Sequence, residues 1–138
     1  MQKDIYMFPC VFIYKEGDAG VSVYFPDLDG CVSFGENEER AYTNAKEALS
    51  LHLYGMEQDN EEIPVASKIA EVELESNHRA TLLEVYMPTF RAKQDEKFIK
   101  KTLTLPNWLN IEAERAGVNF SQLLQNSLKE LLGLNVTT

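Results

Sequence analysis

At 138 residues and 15.7 kDa the chain has room for one ordinary domain, or for a small domain and a smaller module. Its 44% hydrophobic and 25% charged residues are a globular composition and exclude a disordered chain. A net charge of −9, spread evenly, would also argue against nucleic acid as a partner.

The first segment, Ile5–Lys15 (IYMFPCVFIYK), is rich in β-branched and aromatic residues and predicts a strand, with Pro9 marking an edge position or a bulge. It is also the longest apolar stretch, too short to span a bilayer. The residues before it lack a signal peptide's basic segment and cleavage site, so no membrane association and a cytoplasmic location are expected. Glu16–Gly20 is a turn and Val21–Phe25 a second strand, which makes a hairpin. The tight turn Pro26–Gly30 (PDLDG) leads into a short third strand, Cys31–Phe34, closed by Gly35. A helix follows, with Asn37 as N-cap and Glu38 and Glu39 in its first turn. Tyr42, Ala45, Leu49, Leu53 and Met56 form its apolar stripe, which ends near Glu57.

Gln58–Glu62 is a polar, acidic loop, Ala70–Leu74 has no clear period, and Thr81–Met87 reads as a last strand. Pro88–Glu96 is polar and aperiodic and reads as a linker. The expected architecture is therefore α+β. A β-β-β-α-β unit over residues 1–88 builds an antiparallel sheet with one packed helix, a linker covers 89–96, and a second module covers 97–138.

That second module begins with an alternating run, Lys100–Leu105, in which Lys100, Thr102 and Thr104 share one face and Lys101, Leu103 and Leu105 the other. Pro106 marks the switch from strand to helix. A six-residue strand cannot leave its N–H and C=O groups unpaired, and no neighbouring run offers a partner, so a second copy of the chain is expected to pair with it. After a short helix and a Gly117 turn, a second helix carries the stripe Phe120, Leu123, Leu124, Leu128, Leu131 and Leu132, with Asn119 as N-cap and Gly133 just past its end. So small a unit cannot hide that surface alone. Leu103, Leu105, Leu124 and Leu128 are the expected dimer core.

Charge is divided unevenly. Residues 97–138 hold five basic and three acidic residues, whereas residues 1–96 hold eight and nineteen, a net −11. Such asymmetry points to two different partners, with the cations clustered at the C-terminal strand.

No side-chain set announces catalysis or a metal. Asp27 and Asp29 sit in a P-D-x-D-G turn, where Asp bonds to nearby backbone N–H groups, and two carboxylates are too few for a hard cation. Cys10, Cys31, His52 and His78 have no zinc-ligand spacing, and each Cys is expected to be buried and inert in a strand. No catalytic residue, no metal and no cofactor are expected.

Two segments together resemble one family. Phe25, Pro26, Asp27, Leu28, Gly30 and Cys31, with Ala41, Asn44, Ala45, Glu47 and Ala48 on the helix, fill the F-P-D-L-x-G-C and A-x-x-N-A-x-E-A pattern of the N-terminal domain of HicB antitoxins. Lys100–Leu132 resembles the ribbon-helix-helix DNA-binding module that many HicB proteins carry at the C-terminus. Glu112 stands where such modules usually have an apolar residue, and Trp108 and Ile111 are expected to supply that packing. The resemblance implies a non-enzymatic antitoxin of a type II toxin-antitoxin pair. Such a protein neutralises a small basic HicA-like RNA-cleaving toxin by direct binding and represses its own operon.

In that picture two Lys100–Leu105 strands pair into a ribbon that enters the major groove of double-stranded operator DNA. Lys100, Thr102 and Thr104 would meet base edges. Lys101, together with the start of the second helix at Asn119, Phe120 and Ser121, would hold phosphates. The assembly would be a homo-oligomer, a dimer or tetramer. Two other readings compete: a stand-alone ribbon-helix-helix transcription regulator with an N-terminal ligand-sensing domain, and an enzyme using Asp27 and Asp29.

Overall fold

A computed structural model describes residues 2–95 and 97–134; Glu96 and the last four residues of the expected second module lie outside the described residues. Strand β1 (Ile5–Tyr14), β2 (Val21–Tyr24) and β3 (Val32–Gly35) are followed by helix α1 (Glu38–Gln58). A single 3-10 turn (Ile69–Glu71), strand β4 (His78–Tyr86) and helix α2 (Met87–Asp95) complete the first part of the chain. Helices α3 (Asn107–Arg115) and α4 (Phe120–Leu131) form the second. The chain divides into two compact units, Met1–Lys97 and Phe98–Thr138.

In the first unit the sheet is antiparallel throughout, in the order β3-β2-β1-β4. β1 pairs with β2 only over Val11–Tyr14 but with β4 from Ile5 to Ile13. The Pro9 stretch therefore has a strand on one side only, and a missing N–H on the open side costs no ladder bond. The pairing Pro9↔Leu82 continues the register on both flanks, so the bulge is absent and the local edge is what the proline marks.

One face of the sheet packs against α1. Tyr6, Phe8, Cys10 and Phe12 of β1 alternate onto it with Val21 and Val23 of β2 and Leu83 and Val85 of β4. Ala41, Ala45, Leu49 and Leu53 of α1 meet them, each at 0% exposure. The helix starts where its sequence asks it to: the Asn37 side chain accepts a hydrogen bond from the Arg40 N–H at 2.9 Å. It lies very close to the sheet at β3. A Cβ on Gly35 would stand 2.0 Å from the Ala41 backbone nitrogen and 2.4 Å from its Cα. Asn44, one turn on, donates from Nδ2 to the Phe34 carbonyl at 2.8 Å and ties the helix to the outer strand.

Pro88–Glu96, expected as a linker, is instead helical over Met87–Asp95. Proline is tolerated in the first turn of a helix, where its missing N–H has no intrahelical partner to lose. Tertiary contact then supplies what the polar sequence lacks. Met87 is fully buried, the Phe90 ring meets Tyr54 edge-on at 5.9 Å, and Arg91 reaches α1. Its Nε and Nη2 donate to the two carboxylate oxygens of Glu57 at 3.0 and 2.6 Å, and Nη2 also donates to the Lys3 carbonyl at 2.6 Å. The Glu57 side chain is only 2% exposed, so its charge depends on that fork. The helical layer thus holds two helices where one was expected.

Two substitutions test this packing. Gly35→Ala should cost about 2–3 kcal/mol, since backbone and not a flexible side chain blocks the new methyl group. Arg91→Ala should cost about 3 kcal/mol by stranding a buried carboxylate. Urea unfolding read as a lower midpoint at unchanged slope checks both.

Candidate functional site

Two regions compete for a functional role in the first unit, and neither is a catalytic centre in form. The PDLDG turn is closed by its own backbone: the Phe25 and Leu28 N–H groups donate to the Cys31 and Phe25 carbonyls, both at 3.1 Å. Asp27 accepts from the Ser67 N–H at 2.8 Å and from the Ser67 hydroxyl at 2.5 Å. It fastens the loop after α1 to the turn, while Asp29 stays exposed. Asp27 and Asp29 are thus given different tasks, and among the described residues no cluster of three or more His, Cys, Asp or Glu could hold a metal ion.

The cysteines are both buried and both free. Burial pushes the Cys10 thiol up to about 12, with the neighbouring Cys31 adding to the effect, and pushes Cys31 up to about 11. His78 is largely buried, with Nε2 3.3 Å from Glu75 and the Tyr24 ring edge-on at 6.1 Å.

Two of this unit's hollows border β1. One of about 780 Å³ lies between the start of β1 and the loop Asn60–Ala66, with Glu61 and Glu62 on its rim. The other, of about 430 Å³, lies between the first turns of α1 and the start of β4, over Phe12, Tyr14, Tyr42 and Thr81. Beside it the Tyr14 hydroxyl donates to Glu38 at 2.6 Å, which lifts the phenol to about 12.

The second unit is unusual in what it fails to bury. Among its described residues none is buried. Leu103 and Leu105 are 60% and 46% exposed, and Leu123 and Leu128 are 55% and 46% exposed, while Leu124 is half-buried. Its helices are nonetheless well closed. Gly117, at φ +71°, ends α3 with the Val118 N–H on the Ala113 carbonyl at 3.1 Å, a conformation that favours glycine. At the far end of α4, Gly133 and the Leu134 N–H on the Lys129 carbonyl at 2.8 Å repeat the device. In α3, Trp108 and Ile111 are exposed and Glu112 pairs at the surface with Arg115 at 3.4 Å.

Lys100–Leu105 has no assigned strand, as befits six residues with no neighbouring chain to pair with. Lys100, Lys101, Thr102 and Thr104 are all exposed, and none has an ion pair or side-chain hydrogen bond among the described residues. Asn119 uses its side chain to accept from the Gln122 N–H at 3.0 Å. Its Oδ1 is thus committed to capping, and the N–H groups of Phe120 and Ser121 have no intrahelical acceptor among the described residues.

Residues that position these surfaces escaped the sequence reading: Ser67, Phe90 and Arg91, while Gly35 reads there only as a strand end. Of these, Phe90 at three residues from Met87 carried a faint helical signal. One consequence of the thiol environment is measurable: Cys10 and Cys31 should resist iodoacetamide at pH 8 in the folded protein and react in urea, as mass spectrometry would read.

The model of the HicB-like antitoxin of bacterial toxin-antitoxin systems matches residues 8–126. Among solved structures, a toxin-antitoxin complex from Streptococcus pneumoniae is similar at a TM-score of 0.58, with 23% identity, over 91% of this chain and 98% of that one. The antitoxin HicB of Burkholderia pseudomallei is similar at 0.53, with 21% identity, over the same shares. Likeness at that identity speaks to the fold. A curated relative, an uncharacterized 14.9 kDa protein in the rep-hol intergenic region of Haemophilus phage HP1 (strain HP1c1), is 44% identical over 59 residues. That match covers 43% of this chain and 44% of the relative, so the chain spans less than half the length of the curated relative it matches. Among the described residues no helix is long and apolar enough to cross a membrane. With an α+β fold shared over nine-tenths of its length and a family match from the first strand into α4, the chain belongs to the HicB-like antitoxin family of bacterial toxin-antitoxin systems.

Proposed function

We propose that this protein neutralises a HicA-like toxin through its first unit and represses its own operon through its second, acting as a homodimer or a larger homo-oligomer. The observation that carries the second half is the unburied apolar surface of Phe98–Leu134. A unit that buries nothing alone is stable only when a partner covers its leucines, and a second copy offers the same stripe. Pairing two Lys100–Leu105 segments would satisfy their backbones, turn Leu103 and Leu105 inward, and leave Lys100, Thr102 and Thr104 outward. Such a ribbon-helix-helix dimer reads the major groove, with Lys101 and the N–H groups of Phe120 and Ser121 on phosphates. Asn119 caps the helix through Oδ1 and keeps its Nδ2 donors for a phosphate at the same helix start.

For the first unit the support is charge. The net −11 of residues 1–96 suits a basic partner, because opposite fields speed encounter and disfavour wrong pairings. Nothing in this reading requires catalysis, a cofactor or a metal. The competing ligand-sensing regulator would need a hollow such as the one beside Asn60–Ala66, whose rim carboxylates face solvent.

Lys100→Ala, or the double Thr102→Ala/Thr104→Ala, should weaken binding to the DNA upstream of its gene by about 1–3 kcal/mol per lost base contact while toxin binding is unchanged. Wild-type binding should also fall steeply with salt. Full operator affinity in the double variant, measured by fluorescence anisotropy, would remove the ribbon assignment. Leu128→Asp should shift the protein to monomer in analytical ultracentrifugation and abolish DNA binding.

A further inference from the structure

The edges of the sheet differ in how they are protected. β3, at one end, has four residues, and its Phe34 carbonyl is already taken by Asn44. The open half of β1 faces the loop Asn60–Ala66, which is held near the sheet by Ser67 on Asp27. β4 is different. It has nine residues in unbroken register with β1, carries no proline, and among the described residues no strand pairs with its other side. Long, regular, open edges are templates for another strand, and proteins that do not use them blunt them.

The helix side of that edge is open where β4 begins. α2 fills the layer beside the end of α1, through Phe90 on Tyr54 and Arg91 on Glu57. Beside the first turns of α1 no second helix stands among the described residues, and the hollow of about 430 Å³ remains over Phe12 and Tyr42. Its lip carries Glu38 and Glu39. Arg79 lines the β4 side of the same hollow, its Nη1 donating to the Ser76 and His78 carbonyls at 3.1 and 2.8 Å, so the two carboxylates outnumber the one cation there.

We infer that a β-strand of the basic toxin adds to β4 as a fifth strand, placing an apolar side chain in the hollow between α1 and β4. The toxin's neighbouring Lys or Arg residues meet Glu38 and Glu39. The inference rests on the neutralising role proposed above and adds to it the surface and the mode of contact. Main-chain pairing along the edge supplies affinity, and the pocket beside it selects the side chain that alternates inward. The acidic lip excludes strands without cations at that position.

The test uses the whole 138-residue chain and a co-expressed HicA-like toxin. Hydrogen exchange on the wild-type complex should slow the outward amides of Ala80, Leu82 and Glu84 and leave those of Val32–Gly35 unchanged. Glu39→Lys and Thr43→Arg, both at exposed positions of α1, should weaken toxin binding about tenfold or more. Phe34→Arg, on the exposed side of β3, should stay within about twofold of wild type. Protection on β3 in place of β4, or wild-type affinity in both α1 variants, would overturn the placement and leave the antitoxin role standing. No binding of the toxin by the wild-type protein would remove both.

Discussion

The first unit depends on how closely α1 approaches β3. Helix and strand backbones meet at Gly35 and Ala41 with no room for a single carbon between them. That approach explains the small residues of the helix stripe: Ala41 and Ala45 let the helix descend, and Leu49 and Leu53 fill the space that opens farther along. It also brings Asn44 within reach of the Phe34 carbonyl, so the same contact that packs the core satisfies an otherwise open strand edge. The family's N-A-x-E-A helix pattern thus has a physical content here. Asn44 is a hydrogen-bond donor to a strand, and Ala45 is a contact surface.

From that contact the layer is asymmetric. α1 covers the β3 side of the sheet, and α2 is recruited only beside the helix's last turns, where Glu57 offers a buried carboxylate and Arg91 answers it. The ion pair orders a segment that has little intrinsic reason to be a helix. It also ties the end of the first unit to the carbonyl of Lys3, across most of that unit's sequence. The beginning of β4 is left without such cover.

The second unit obeys the opposite logic. Its helices are capped and terminated locally, by Asn119, Gly117 and Gly133, so their boundaries need no tertiary contact. Their apolar faces, by contrast, stay largely exposed among the described residues. Local order without burial is what the proposed pairing with a second copy would complete.

What the amino-acid sequence by itself determined follows from short-range physics. The β1–β2 hairpin, α1 from its Asn37 cap, α4 from Asn119 to Gly133 and the exposed cationic run at Lys100–Thr104 all rest on periodicity, capping and turn chemistry within a few residues. Only the tertiary structure decided that β4 lies beside β1, that Ser67 is tied to Asp27 forty positions away, and that Arg91 pairs with Glu57 thirty-four positions away. It likewise decided that the Met87–Asp95 segment is a helix and that Pro9 marks a local edge. Those outcomes depend on which distant groups the fold brings together. The free energy of burying Met87 and pairing Glu57 outweighs the weak helical propensity of MPTFRAKQD, and no local pattern records it.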